Sequence, residues 1–146
     1  APLVPIVLPL HPRGRPSLGA AGLVSGERLR VIDPLGYVDF LSLVRGARLV
    51  VTDSGGIQEE TTILGVPCLT LRPNTERPIT ISHGTNRLVS PEDLAPAARV
   101  VLDPGHVMAT ERPPLWDGHA GPRIAAILAR FTPEPDPASD PQPRVP

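Results

Sequence analysis

The sequence predicts an α/β fold: a Rossmann-like parallel sheet with helices on both faces. Three observations predict it. Strand-like and helix-like segments alternate, the strand-like segments are apolar throughout, and turns containing Gly or Pro separate them. Strands that are apolar on both sides belong to parallel sheets, because helices cover both faces of such sheets. The 146 residues suffice for one domain with a sizeable core, and 40% of them are hydrophobic.

Each element has a local signal. The strands are short apolar runs, of which Leu49-Val-Val51 is the clearest, and the second helix carries Val38, Leu41 and Val44 at helical spacing. Gly65 closes the third helix as a C-cap. In order, the predicted elements are a strand at 3–10, a weak helix at 17–25, a strand at 28–32, a helix at 37–47, a strand at 48–52, a helix at 57–64 and a strand at 66–71. A short strand at 87–89 and helices near 91–102 and 119–131 follow.

Residues 1–132 are predicted to form one domain. Residues 133–146 are rich in Pro and have no apolar face, so we expect a disordered tail that the domain does not need for stability. The chain opens without Met and leads almost directly into an apolar strand. We therefore expect that it was cut at a domain boundary.

Composition excludes several classes of partner and site. The net charge of -1 argues against nucleic acid or an anionic membrane surface as the main partner. No stretch approaches the roughly 20 apolar residues that span a bilayer. The one cysteine, Cys68, lies in an apolar run and predicts a buried structural thiol rather than a disulfide or a multi-cysteine zinc site. We expect a cytoplasmic protein.

A Gly-Gly turn follows the third strand, in the run Thr52-Asp-Ser-Gly-Gly-Ile57. Glycines allow a ligand to approach the backbone closely, and the first amides of the next helix point outwards beside the positive end of its dipole. In a parallel sheet, ligands bind beyond the carboxyl ends of the strands, where this turn lies. The turn predicts a phosphate site at Ser54, Gly55 and Gly56. A plain turn capped by Asp53 or Ser54 remains open as an alternative.

Three further polar groups are expected at the same edge. Glu59 and Glu60 lie in the first two turns of the third helix, where carboxylates favour the helix dipole, and one of them could also accept from ribose hydroxyls. The loop 72–78 ends on Arg77, which could clamp an anion or lie in a solvated loop. His11 follows the first strand and is either a site residue or an ordinary turn residue.

The run Thr52-Asp-Ser-Gly-Gly-Ile-Gln-Glu-Glu-Thr-Thr-Ile-Leu-Gly-Val-Pro-Cys-Leu-Thr-Leu-Arg-Pro-Asn-Thr-Glu-Arg-Pro78 closely resembles the signature of the non-hydrolysing UDP-N-acetylglucosamine 2-epimerases. Gly84-Thr-Asn-Arg-Leu-Val89 continues the match. Two earlier segments, Leu10-His-Pro-Arg13 and Pro34-Leu-Gly-Tyr-Val-Asp-Phe40, match in the right order, and Trp116-Asp-Gly-His-Ala120 resembles a degraded form of a later element. The resemblance covers about residues 1–131.

The resemblance implies the second domain of a GT-B-type enzyme, in which two Rossmann-like domains hold the sugar nucleotide between them. It also implies roles for seven residues. The diphosphate would be held by Ser54, Gly55 and Gly56, the ribose by Glu60 and the uracil by Phe40, while Arg77 and His11 would face the diphosphate and sugar, His11 as a catalytic candidate. The implied reaction inverts C2 of UDP-N-acetylglucosamine by elimination and re-addition of UDP, with no metal or cofactor.

The resemblance implies a missing N-terminal domain, and with it the acidic residues that handle the C2 proton. We therefore expect this chain to be inactive alone. The resemblance also implies that the full-length enzyme is a homodimer. Two alternatives stay open: a non-catalytic nucleotide-binding module, and a domain of a related GT-B glycosyltransferase or hydrolysing epimerase.

Overall fold

The computed structural model describes residues 4–106, 108 and 111–131. The chain divides into two compact units, residues 1–112 and 113–146, and each is described by itself. The predicted disordered tail, 133–146, lies outside the described residues. Within the described residues, no helix is long and apolar enough to cross a membrane.

The first unit alternates strands and helices, which confirms the α/β class. Its strands are β1 (Ile6–Pro9), β2 (Leu29–Ile32), β3 (Val50–Thr52), β4 (Cys68–Thr70) and β5 (Asn86–Leu88). Its helices are α1 (Arg15–Ala20), α2 (Tyr37–Arg45), α3 (Gly55–Leu64), α4 (Ile79–Ser82) and α5 (Pro91–Val101), and a 3-10 turn (Pro12–Gly14) precedes α1.

Every strand pair in the described residues is parallel, as predicted. Hydrogen bonding divides the strands into two groups, β1–β2 and β3–β4–β5, instead of the single continuous sheet that we expected. In the second group Val50 pairs with Cys68, and Cys68 pairs with Asn86. β4 is therefore the central strand, and the carboxyl ends of β3, β4 and β5 lie at one edge. That edge carries the candidate site.

The core of the first unit lies around β4. Leu69 is 1% exposed and packs with the buried Val89 and Ala97, so α5 covers this face of the sheet. Cys68 is also buried. Burial raises the pKa of its thiol, and this effect outweighs the hydrogen bonds with Thr61 and Thr70, which lower the pKa. The prediction of a buried structural thiol is confirmed.

The helix ends explain where the boundaries differ from prediction. Gly65 ends α3 in the left-handed conformation, with φ of 69°, which confirms the predicted C-cap. α3 begins at Gly55, two residues earlier than predicted, because both glycines adopt helical conformation. α4 was not predicted; at four residues it is too short to show helical periodicity.

The second unit contains α6 (Ala120–Leu128), within the predicted 119–131. Asp117 accepts two hydrogen bonds from the Arg123 guanidinium, at 2.9 and 3.0 Å, and a third from the His119 backbone N–H at 2.9 Å. The bonds from Arg123, and then that from His119, lower the pKa of Asp117 to about 2. Arg123 also donates to the carbonyl oxygen of Leu115, which has a φ of 67°. One guanidinium thus ties the preceding turn to α6.

Gly84 lies where α3, α4 and β5 meet, and a Cβ there would collide with the Thr62 side chain and lie 2.5 Å from the Thr80 carbonyl oxygen. We expect Gly84→Ala to lower the free energy of unfolding by about 1–3 kcal/mol, because backbone and a buried threonine must move. Thermal or urea denaturation measures this. Gly19→Ala is the matched control, since a Cβ at Gly19 meets nothing within 4 Å. An unchanged stability in Gly84→Ala would contradict the packing described.

Candidate functional site

The N-terminus of α3 is open. Ser54 has an extended conformation, its side chain makes no capping hydrogen bond, and its N–H donates to Thr52 Oγ1 at 3.0 Å. The first N–H groups of a helix have no partner within the helix, so those of Gly55 and Gly56 are left for a ligand. A Cβ built on Gly56 meets nothing within 4 Å. The turn therefore presents backbone donors to open space.

Arg77 reaches this turn from the loop after β4. A Cβ built on Gly55 would lie 2.5 Å from Arg77 Nη1 and 3.0 Å from Cζ, so the guanidinium rests against the glycine backbone. Arg77 Nε lies 3.1 Å from Glu59 Oε2, and Nη1 lies 3.5 Å from Glu76 Oε2. The Nε pair is an ion pair without a hydrogen bond, because the N–H is not aligned with the carboxylate. Gly55 thus makes room for a cation at the helix end.

The charges at this end favour an anion. A cation at a helix N-terminus is disfavoured by the dipole, and a bound anion removes that conflict. The negative charges of Glu59 and Glu76 offset part of the unfavourable interaction between Arg77 and the helix dipole. Glu76 is itself held by Arg72 through two hydrogen bonds of 3.2 Å. Its own backbone N–H, followed by these bonds, lowers the pKa of Glu76, so this carboxylate stays ionised.

Glu60 lies one turn further along α3, on the side that packs against α2. Its Oε2 is buried and accepts no hydrogen bond. The negative charge of Glu60, followed by desolvation and a hydrogen bond to the carboxylate, raises the pKa of Tyr37 at the start of α2. Phe40 is half-buried one turn further along α2. Glu60 therefore has spare acceptor capacity beside Tyr37, on the helix that also carries Phe40.

His11 is placed differently. It caps the 3-10 turn after β1, where its Nδ1 accepts from the Arg13 backbone N–H at 3.2 Å, and it is exposed. The structure brings together Ser54, Gly55, Gly56 and Arg77 around one helix end, and adds Glu60 on the same helix. The hydrogen bond of His11 is local to its own turn, so His11 has no described contact with that cluster.

Four polar residues that sequence reasoning did not select lie beneath the site: Gln58, Thr75, Thr80 and Asn86. Gln58 and Thr80 are fully buried, and Asn86 is nearly so. The only sequence signal was their position inside or beside the matching runs. Polar residues give no periodicity that separates a buried network from a solvated face.

The comparisons with known proteins identify the family of this chain. The family model described as UDP-N-acetylglucosamine 2-epimerase matches residues 1–129. The chain belongs to this family. The match runs through both units of the chain and includes every candidate site residue.

Two curated relatives illustrate the similarity. The UDP-N-acetylglucosamine 2-epimerase of Methanocaldococcus jannaschii is 41% identical over 129 residues, which are 84% of this chain and 34% of the relative. The UDP-2,3-diacetamido-2,3-dideoxy-D-glucuronate 2-epimerase of Pseudomonas aeruginosa is 38% identical over 131 residues, 88% of this chain and 36% of the relative. The chain thus spans about a third of the length of these relatives.

Solved structures show the same fold. The crystal structure of the M. jannaschii UDP-GlcNAc 2-epimerase in complex with UDP-GlcNAc and UDP matches with a TM-score of 0.71 and 40% identity. The match covers 86% of this chain and 36% of that one. The GT-B-like domain that the sequence implied is confirmed as the fold of this chain.

Tyr37 is the only tyrosine, so its ionisation can be followed directly by ultraviolet absorbance. We expect its titration midpoint above the ordinary value of 10.0, and we expect Glu60→Gln to move it back, because the carboxylate charge is the main cause of the shift. Glu92→Gln, an exposed change on α5, is the control and should move nothing. Equal midpoints in the parent and Glu60→Gln would show that the two side chains do not interact.

Proposed function

We propose that residues 1–132 form the UDP-binding domain of a UDP-N-acetylglucosamine 2-epimerase. One observation carries the proposal: the Arg77 guanidinium rests against Gly55 at an uncapped helix N-terminus. Donors and positive charge converge there on open space, which suits the diphosphate of a sugar nucleotide. The similarity to an enzyme whose structure holds UDP-GlcNAc and UDP supports the same ligand.

Each site residue has a role in this proposal. The backbone amides of Gly55 and Gly56, with Ser54 and Arg77, hold the diphosphate. The unpartnered Oε2 of Glu60 accepts from a ribose hydroxyl, which would satisfy a buried oxygen that now has no donor. Phe40 packs near the uracil. His11 faces the sugar as the catalytic candidate, which requires that the ligand bridge from its turn to α3.

The reaction fits the charges of this wall. In the elimination step, a base removes the C2 proton and the C1–O bond breaks, so UDP leaves with the bonding electrons. Re-addition of UDP after protonation on the opposite face gives the C2 epimer. The negative charge that develops on the leaving oxygen meets fixed amides, a helix dipole and Arg77, which stabilise it without reorganisation. This chemistry needs no cofactor.

A second candidate is a non-catalytic UDP-binding module. The matched segment is about a third of the length of the M. jannaschii and P. aeruginosa relatives, so nucleotide binding without the rest of the relatives' length is the simpler activity for these 146 residues. The name of the P. aeruginosa relative suggests an alternative substrate, in which UDP carries a diacetamido-dideoxy-glucuronate instead of N-acetylglucosamine. The cytoplasmic location and the homodimer of the full-length enzyme stay predictions of the same proposal.

Isothermal titration with UDP tests the phosphate site. We expect Gly56→Val to abolish binding, because its side chain would fill the space in front of the amides. Arg77→Ala should weaken binding by about 1.5–3 kcal/mol, the contribution of a charge-assisted hydrogen bond. Arg99→Ala, an exposed arginine on α5, is the matched control and should bind as the parent does. If Gly56→Val binds UDP like the parent, the site is elsewhere.

The isolated 146-residue chain should not epimerise UDP-N-acetylglucosamine. The C2 proton needs a carboxylate base within hydrogen-bond reach, but Glu59 and Glu76 are paired with arginines and Glu60 is assigned to ribose. Chromatographic separation of the two epimers measures conversion. Turnover by chain purified from an epimerase-deficient host would refute this expectation, and its loss in Asp53→Asn would then identify the exposed Asp53 as the acid–base group.

A further inference from the structure

Gln58 is the largest polar side chain that is fully buried in the described residues. It lies on α3, and its amide points into the space beneath the loop 72–78. Its Oε1 accepts from Thr75 Oγ1 at 2.6 Å and from Asn86 Nδ2 at 3.0 Å, while its Nε2 donates to the Ser54 carbonyl oxygen at 3.4 Å. One amide therefore joins the start of α3, the loop and β5.

The backbone of Arg77 is held on both sides by threonine hydroxyls. Its N–H donates to Thr75 Oγ1 at 3.0 Å. Its carbonyl oxygen accepts from Thr80 Oγ1 at 2.8 Å, and Thr80 Oγ1 in turn accepts from Asn86 Nδ2 at 3.2 Å. The hydrogen bonds of both hydroxyls lead back to a buried amide. Hydrogen bonds to its backbone thus position Arg77, independently of the exposed ion pairs that its guanidinium makes.

The pattern of donors and acceptors fixes the orientation of the Gln58 and Asn86 side-chain amides. Asn86 Nδ2 uses both N–H groups, towards Gln58 and Thr80, and Asn86 Oδ1 accepts from Thr70 Oγ1 at 2.6 Å. Turning either amide over would place two acceptors or two donors face to face. Unsatisfied buried polar groups cost about 1–3 kcal/mol each, so the network specifies one path for the loop.

We propose that Gln58 is a positioning residue whose buried amide, through Thr75, holds the Arg77 backbone so that the guanidinium stands against Gly55. The proposal rests on the proposed function, in which Arg77 binds the diphosphate. A purely structural role would lower stability without changing how much binding depends on Arg77. A positioning role predicts that the Arg77 contribution disappears when the link to Thr75 is cut.

A double-mutant cycle on UDP affinity separates these roles. Thr75→Val removes the hydroxyl that joins Gln58 to Arg77 at nearly constant volume, and we expect it to weaken UDP binding about tenfold. In the parent, Arg77→Ala should weaken UDP binding about tenfold or more. In the Thr75→Val background, the same substitution should weaken it by less than about threefold. Thr75→Ser, which keeps the hydroxyl, should restore both the affinity and the full effect of Arg77→Ala.

Two further variants complete the cycle. Gln58→Met keeps the length of the side chain but not its amide, so it should show the same loss of the Arg77 effect. Thr61→Val is the matched control, because Thr61 is fully buried on the same helix and its hydroxyl bonds to carbonyl oxygens of α3 and to Cys68, not to Gln58, Thr75 or the Arg77 backbone. It should keep the full Arg77 effect, even if its melting temperature falls as far as that of Thr75→Val.

The outcomes are distinguishable. Failure of the parent to bind UDP, or an Arg77→Ala variant that binds as the parent does, would overturn the proposed function and this inference with it. If the parent binds and Arg77→Ala weakens binding equally in the parent, Thr75→Val and Gln58→Met, the proposed function stands and the positioning role is wrong. Loss of the Arg77 effect in those two variants alone supports positioning.

Discussion

A cation held at the positive end of a helix is the constraint on which the site depends. The dipole of α3 repels Arg77, and the carboxylates of Glu59 and Glu76 are 45% and 62% exposed, so their ion pairs contribute little to holding it. The guanidinium nevertheless lies against Gly55. Something other than surface charge must therefore fix the loop that carries it, and an anion placed between guanidinium and helix amides would turn the repulsion into attraction.

Directional hydrogen bonds fix that loop, because fully buried polar side chains bond to it from beneath. The apolar core centres on Leu69, Val89 and Ala97, whereas the buried side chains that bond to the loop, Gln58 and Thr80, are polar and are joined through Asn86. Apolar contacts tolerate sliding, since their energy depends on area rather than direction. A buried amide satisfied on both its oxygen and its nitrogen does not, because any shift leaves a donor or acceptor unpaired. A polar interior gives this wall a defined geometry before any ligand arrives.

The sequence predicted the features that follow from pattern and missed those that follow from orientation. The order of the strands and of the longer helices, the parallel pairing and the Gly65 cap follow from pattern, and each was predicted, whereas the four-residue α4 was missed and Gly55 and Gly56 belong to α3 rather than to a turn. The inward direction of Gln58 had none, because a helical glutamine followed directly by two glutamates looks solvated. The pairing of Tyr37 with Glu60 required the packing of α2 on α3. The division into two strand groups depends on backbone hydrogen bonds that no residue pattern specifies.

Glu60 shows why one helix can hold both parts of a nucleotide. It lies five residues beyond Gly55, about 7.5 Å along the helix axis, a span that a nucleoside diphosphate bridges between its phosphates and ribose hydroxyls. The amides at the start of α3 are donors without acceptors, and Glu60 Oε2 is a buried acceptor without a donor. An unsatisfied buried carboxylate oxygen is costly, and a ribose hydroxyl would remove that cost. Because the unpaired amides and the unpaired carboxylate oxygen lie on one rigid helix, a single ligand can satisfy both. No new segment has to become ordered, so the entropic cost of binding stays low.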